Sequence, residues 1–168
     1  MSAQVGEMEE SMSEIKYKVC LDKLVKSLQL TPIYLPKDIK ELFIWSPEVN
    51  RPGLQFAGFY ELFDPSRVQI IGKTEYSYLN KLGAKMYEAL DEFLSRKPMV
   101  IIITWNLTVD RKFLALAEKY NVPIYRTSEM TSEFIAGLTQ TLSVALAKRI
   151  TRHGVLVEVY GEGVLLYG

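Results

Sequence analysis

The 168-residue chain has few of the side chains that build metal centres or disulfide frameworks, since it contains one cysteine, Cys20, and one histidine, His153. A single cysteine excludes an internal disulfide, and one cysteine with one histidine cannot supply a typical zinc ligand set. We therefore expect no resident metal and a reducing, cytoplasmic setting.

The sequence also lacks an excess of charge of one sign and long apolar runs. Lysine and arginine number 20, as do aspartate and glutamate, whereas nucleic-acid binding depends on a basic surface. The longest aliphatic run, MVIII at residues 99–103, is far shorter than the ~20 residues of a membrane span. Residues 1–16 are polar and acidic without the apolar core of a signal peptide, and we expect a disordered lead-in. Neither nucleic acid nor membrane is an expected partner.

Apolar patterning predicts alternating helices and strands. The predicted helices cover residues 19–30, 74–95, 110–121 and 131–150, with Thr74 and Asp110 as N-caps, Asn121 as a left-handed C-terminus and Thr131 as the start of the last helix. The predicted strands are LFIWS at 42–46, RVQII at 67–71, PMVIII at 98–103 and VPIYRT at 122–127, after a short extended piece at 31–36. PMVIII is apolar on both faces, which is typical of a covered parallel strand. The sequence predicts an α/β fold, a mostly parallel sheet with helices on both faces.

The pattern changes after His153. Two alternating β-branched runs flank Gly161-Glu162-Gly163, which predicts a β-hairpin. We expect four regions: a disordered lead-in at 1–16, an α/β domain at 17–130, a linking helix at 131–152, and the start of a second domain at 153–168.

Gly72-Lys73-Thr74 lies between a predicted strand and a predicted helix, as in a phosphate-binding loop. The full motif requires a glycine five positions before the Gly-Lys pair, and that position is Arg67. We favour a plain strand-to-helix turn, while amides at the helix start remain an alternative anion site.

Two further loops follow predicted strands, at residues 104–110 and 126–128. In open α/β sheets ligands lie beyond the carboxyl ends of strands, so one interpretation is a ligand cleft lined by Trp105, Asn106 and Thr108. The other is an ordinary loop in which the tryptophan is an aromatic plug, and we favour this second interpretation. The basic and hydroxyl side chains of Arg126, Thr127 and Ser128 could bind an anion. Alternatively, a hydroxyl caps the next helix and the arginine is solvated, which is the more common arrangement.

The end of the chain, HGVLVEVYGEGVLLYG at residues 153–168, resembles the entry to the catalytic domain of the HPr kinase/phosphorylase family. There a His-Gly precedes a hairpin whose second strand runs into a Walker A loop. Upstream, residues 49–79 (VNRPGLQFAGFYELFDPSRVQIIGKTEYSYL) and VPIYRTSEMT at 122–131 are similar to the family's N-terminal domain. The resemblance covers residues 19–168.

This resemblance implies a bifunctional enzyme that phosphorylates a serine of HPr with ATP or pyrophosphate and removes the phosphate by phosphorolysis, in carbon catabolite regulation. The resemblance implies a catalytic role for His153. Without the resemblance, the sequence favours a surface histidine in a linker at this position. Gly168 matches the first Walker A glycine. The remaining Walker residues, the Mg-binding acid and the catalytic aspartate are expected beyond residue 168, so we expect this chain to be inactive alone and to hold neither ATP nor Mg.

The resemblance further implies a homo-hexamer, a response to fructose 1,6-bisphosphate and phosphate, and an N-terminal domain similar to the uridine-nucleotide-binding domain of Mur ligases. A regulatory or assembly role is expected for that domain. The alternative is a free-standing α/β ligand-sensing or oligomerisation module. In that case the predicted hairpin should be an integral part of the α/β sheet, since isolated hairpins are marginal in water.

Overall fold

The computed structural model describes residues 17–37 and 42–147 in full, together with the backbone pairing of two strands at 154–159 and 162–167. The strands are β1 Val19–Cys20, β2 Thr31–Tyr34, β3 Phe43–Ile44, β4 Val49–Asn50, β5 Val68–Ile71, β6 Val100–Ile103, β7 Ile124–Arg126, β8 Gly154–Val159 and β9 Glu162–Tyr167. The α-helices are α1 Leu21–Ser27, α2 Gly53–Phe56, α3 Lys73–Lys81, α4 Met86–Ser95, α5 Arg111–Tyr120 and α6 Thr131–Leu146, with a 3₁₀ turn at Gly83–Lys85.

A mixed, mostly parallel sheet of five strands forms the centre, in the order β2-β7-β6-β5-β4. Strands β4 to β7 are parallel and lie in chain order, while β2 pairs with β7 in the antiparallel direction. This architecture confirms the predicted α/β class and parallel sheet.

Helices cover both faces of this sheet, as predicted. Along β6, Val100 and Ile102 join a buried cluster with α1 and α6, whereas Ile101 and Ile103 join a second cluster with α2 to α5. The division follows from strand geometry, because successive side chains point to opposite faces. The crossovers β5–β6 and β6–β7 run in the same direction, so right-handed connections place α3, α4 and α5 on one face.

The first predicted helix and the first predicted strand are partly wrong. Val19 and Cys20 form β1 instead of helix, because Val19 pairs with Ile44 of β3, and α1 ends at Ser27. The LFIWS segment is reduced to Phe43–Ile44 and belongs to this separate two-stranded sheet. Tertiary pairing outweighs the helical apolar stripe at these positions.

The predicted helix over 74–95 is two helices. Thr74 does not cap it: Gly72 is the N-cap residue and Lys73 the first helical residue. Gly83 adopts a φ of 56°, within a 3₁₀ turn that separates α3 from α4. A left-handed residue cannot continue an α-helix, and glycine takes this conformation at little steric cost.

The ends of α5 are as predicted. The Asp110 side chain accepts a hydrogen bond from the Phe113 backbone N–H at 2.8 Å, and Asn121 ends the helix with a φ of 54°. Helix α6 begins at Thr131, as predicted, and is described to Leu146, while residues 148–152 of the predicted linking helix lie outside the described residues. No helix in the described part of the chain combines the length and apolar character needed to cross a bilayer.

Strands β8 and β9 form the predicted antiparallel hairpin. Their register runs from the pair Gly154–Tyr167 to the pair Val159–Glu162. The hairpin is its own two-stranded sheet and does not join the five-stranded sheet. This arrangement does not match the expectation for a free-standing module.

Candidate functional site

The candidate site is the edge of the sheet at the carboxyl ends of β5, β6 and β7, where the three loops of interest meet. A ligand crevice opens in such sheets where the strand order reverses. The parallel strands β4 to β7 lie in chain order without a reversal. The loops and helices around this edge therefore decide whether a cavity exists.

The loops after β6 and β7 are tied together by hydrogen bonds. The hydroxyl oxygens of Thr104 and Thr131 lie 2.8 Å apart, and both side chains are buried. The backbone N–H of Trp105 donates to the carbonyl of Glu129 at 2.9 Å, and that of Asn106 donates to Thr127 at 2.8 Å. These bonds bring the predicted loop residues together and close the edge between the two strands.

Trp105 acts as the aromatic plug in this closed edge. It is half-buried, and Lys73 Nζ lies 3.4 Å from the centroid of its ring, within cation–π range. Trp105 and Asn106 have φ values of 58° and 53°, so consecutive left-handed residues turn the loop back over the edge. The geometry favours the plug interpretation over the cleft.

The close approach of Thr131 leaves room only for a glycine at position 72. A Cβ atom added at Gly72 would lie 2.4 Å from Thr131 Oγ1, closer than non-bonded atoms approach. The Gly72 N–H donates to Glu75 Oε2 at 2.9 Å. The start of α3 thus already has an internal carboxylate, which favours a strand-to-helix turn over an anion site.

Glu75 is a buried carboxylate at this edge, and sequence patterning does not predict a role for it there. Both of its carboxylate oxygens lie 3.0 Å from Arg51 Nη2, and its side chain is 5% exposed, against 44% for Arg51. Burying a carboxylate is costly unless it is paired and hydrogen-bonded, and both conditions hold here. The available signal was the spacing, since a glutamate three residues after the N-cap commonly reaches back to the N-cap N–H.

The loop at 126–128 serves the turn into α6. Thr127 Oγ1 accepts from the Glu129 backbone N–H at 3.2 Å, and Ser128 is exposed. Arg126 is half-buried, and its Nε has no hydrogen-bond partner among the described residues. Thr127 therefore caps a turn, while Arg126 is not the solvated side chain that we favoured.

A cavity of about 160 Å³ lies beside the closed edge, between α3, α4 and the loop that leads into α5. On its polar side the Tyr76 and Thr108 hydroxyls lie 3.3 Å apart. Tyr87 Oη donates to Asp110 Oδ2 at 2.5 Å, and this hydrogen bond raises the pKa of Tyr87. Of the predicted loop residues, Thr108 lines this cavity, whereas Trp105 and Asn106 do not.

The two residues that the family resemblance singles out, His153 and Gly168, lie outside the described residues. Cys20 is half-buried in β1. Within the described ranges, no group of three or more His, Cys, Asp or Glu side chains is arranged to hold a metal ion.

Comparison with known proteins gives a family match over most of the chain. Residues 19–142 match the family described as HPr Serine kinase N terminus. Among relatives, the chain is 43% identical over 147 residues to the HPr kinase/phosphorylase of Caldicellulosiruptor bescii, covering 87% of this chain and 47% of that protein. It is 41% identical over 153 residues to the HPr kinase/phosphorylase of Lachnoclostridium phytofermentans, covering 90% and 50%. The chain thus spans about half the length of these relatives.

One solved structure shares the fold at low sequence identity. It contains the CBS and DRTGG domains of the regulatory region of Clostridium perfringens pyrophosphatase, complexed with its activator diadenosine tetraphosphate. The TM-score is 0.50 at 18% identity, over 71% of this chain and 45% of that chain. The family match and the relatives agree with the resemblance carried by residues 49–79, and the chain belongs to the HPr kinase/phosphorylase family, of which it carries the N-terminal domain.

Proposed function

We propose that these residues are the N-terminal regulatory and assembly part of a bifunctional HPr kinase/phosphorylase. The enzyme would phosphorylate a serine of HPr with ATP or pyrophosphate, and reverse the reaction by phosphorolysis, in carbon catabolite regulation in the cytoplasm. The observation that carries this proposal is the family match over residues 19–142, together with relatives of 43% and 41% identity that are named for this activity.

We propose that the 168 residues do not transfer phosphate by themselves. The sequence contains no Gly-Lys-Ser/Thr with a glycine five positions earlier, since Arg67 occupies that position before Gly72. ATP and Mg would bind the catalytic part of the relatives, which this chain does not cover. Their chemistry is positioning and neutralisation of the transferred phosphoryl group.

His153 is proposed as a catalytic residue and Gly168 as the first glycine of the phosphate loop. The hairpin register supports this proposal, because Gly154 pairs with Tyr167, and in the sequence His153 precedes Gly154 and Gly168 follows Tyr167. An imidazole beside a phosphate loop is suited to proton transfer near neutral pH and to stabilising phosphoryl charge.

We also propose an assembly role, with the hexamer that the family resemblance implies. Exposed apolar side chains support this role. Leu54, Phe59 and Leu62 are 63%, 45% and 89% exposed within one short segment around α2. Surface apolar residues grouped in this way often mark contact surfaces. HPr is the proposed protein substrate of the whole enzyme.

The second candidate is a free-standing ligand-sensing or oligomerisation module. One observation favours this candidate: the α/β domain has a buried apolar cluster on each face of its own sheet. The separate β8–β9 sheet weighs against it.

The proposal is tested with residues 1–168, HPr, and ATP with Mg, using the full-length C. bescii relative as a positive control. The expected result is phosphoserine on HPr with the relative only, together with mixed oligomers of this chain and the relative in native mass spectrometry. Phosphoserine formed by the chain alone would contradict the proposed inactivity, and strict absence of mixed oligomers would contradict the assembly role.

A further inference from the structure

The cavity beside α3 has a mostly apolar wall. Its apolar lining comes from three elements and the preceding loop, namely Leu79, Met86, Leu90, Val109 and Phe113. Residues on both sides of the break at Gly83 line the cavity, because α3 and α4 are separate helices and not the one continuous helix that the sequence predicts.

Its volume matches one ring. The cavity measures about 160 Å³, and an apolar cavity of about 150 Å³ in a protein interior holds a benzene molecule. Ligands with two fused rings or a phosphorylated sugar exceed this space. The volume thus restricts the enclosed part of a ligand to a single six-membered ring.

One end of the cavity is polar and rich in acceptors. Asp110 contributes a carboxylate whose Oδ1 accepts from the Phe113 N–H and whose Oδ2 accepts from Tyr87, which leaves further lone pairs on both oxygens. Asn80 also lines the cavity and makes no side-chain hydrogen bond with another described residue. A ligand that carries an N–H or O–H group meets acceptors there.

We infer that this cavity is a binding site for a single aromatic or heteroaromatic ring that carries a hydrogen-bond donor. The ring lies against the apolar wall, and its donor faces Asp110 and Asn80. Concave, mostly apolar sites with a few convergent polar groups are the usual form of small-molecule sites. The inference goes beyond the proposed kinase role and does not rest on it, because binding is measured on this chain alone.

The test is a titration of ¹⁵N-labelled residues 1–168 with phenol, followed by amide shifts. Fluorobenzene, which has a similar shape and no donor, is the comparison ligand. We expect saturable shifts around the cavity with a Kd on the order of 1 mM for phenol, and at least threefold weaker binding of fluorobenzene. Absence of saturable shifts, or shifts centred on Leu54, Phe59 and Leu62, would overturn the site, and equal affinities would overturn the donor requirement.

Variants locate the site. Val109→Phe fills the cavity and should weaken phenol binding at least tenfold, while Val144→Phe, at a position 69% exposed on α6, should leave it unchanged. Asn80→Ala, an exposed position that tolerates substitution, should weaken binding about threefold, against no change for Ser77→Ala on the same helix. If Val109→Phe does not fold, the Asn80 pair still decides the question, since unchanged affinity in Asn80→Ala contradicts the proposed polar contact.

Discussion

The hydroxyl oxygens of Thr104 and Thr131 lie 2.8 Å apart in the protein interior, and they join the end of β6 to the first residue of α6. The contact spans 27 residues of sequence and links the end of a central strand to a helix that packs on one face of the sheet. Thr104 is fully buried and its hydroxyl lies 3.5 Å from the Ile71 carbonyl, its one other polar neighbour in the described chain.

Replacing one of these threonines should cost stability, while replacing both should cost no more than replacing one. Thr131→Val keeps the shape and leaves the Thr104 hydroxyl without its closer partner, so we expect a loss of about 1–2 kcal/mol in the free energy of unfolding. The double variant Thr104→Val/Thr131→Val removes both polar groups and should be no less stable than the single variant. Urea denaturation measures both, with Thr139→Val as a control, and purely additive losses would contradict the pairing.

Gly72 should not tolerate a side chain. Gly72→Ala places a Cβ atom 2.4 Å from Thr131 Oγ1, and the resulting repacking should cost about 1–3 kcal/mol. Gly137→Ala is the matched control, because nothing lies within 4 Å of its added Cβ in α6. Alanine should stabilise that helix by about 0.5–1 kcal/mol. Thermal unfolding that gives the same sign for both variants would contradict the close approach at Gly72.

The ion pair at the start of α3 should contribute more than an exposed ion pair. Arg51→Met leaves the buried Glu75 carboxylate with only the Gly72 N–H, and we expect a loss of about 1–2 kcal/mol. Lys26→Met breaks an ion pair of 2.8 Å in which the lysine side chain is 75% exposed, and should change stability by less than ~0.5 kcal/mol. Urea titration of both variants makes the comparison, and equal effects would show that Glu75 is well solvated.

Sequence patterning predicts the parts of this fold in which the local signal and the tertiary environment agree. MVIII forms the central strand because it is apolar on both faces, and Asp110 and Asn121 bound α5 because each side chain suits its terminal position. The prediction failed at Val19 and Cys20, where pairing with β3 outweighs a helical stripe, and at Gly83, where one left-handed residue divides a helix.

The candidate site was less predictable than the fold. The sequence places residues 104–110 and 126–128 at strand ends, but it does not show that backbone hydrogen bonds close the edge between them. The Arg51–Glu75 pair joins residues 24 positions apart, and the cavity is lined by residues of α3, α4, α5 and the loop before α5. Neither follows from periodicity, because both depend on how separate elements meet.

The hydroxyl of Tyr60 should not be needed for stability at neutral pH, and it should lower the free energy of unfolding at alkaline pH. Its hydroxyl is buried without a hydrogen-bond partner among the described residues, so Tyr60→Phe should match the wild type or exceed it by up to ~1 kcal/mol near pH 7. Burial raises the pKa of Tyr60 to about 12, above the value near 10 of an unfolded chain.

The sign of the pH effect follows from this raised pKa. The contribution of neutral Tyr60 to stability is complete below pH ~10 and is lost as the pH rises from there through about 12. The wild type should therefore lose more stability than Tyr60→Phe between pH 8 and pH 11 in urea denaturation. Tyr125, whose pKa burial also raises to about 12, is present in both proteins and cancels. Parallel pH profiles would contradict the assignment.

The most direct test of the proposed role is the activity of a chimera in which residues 1–168 replace the matching N-terminal part of the C. bescii HPr kinase/phosphorylase, the 43% identical relative. The measured quantity is the rate of phosphoserine formation on HPr with ATP and Mg. We predict that the chimera phosphorylates HPr and that His153→Ala in the chimera lowers the rate at least a hundredfold without changing its oligomeric state. A chimera that folds and assembles but leaves HPr unmodified would contradict the proposal that this chain is the N-terminal half of such an enzyme.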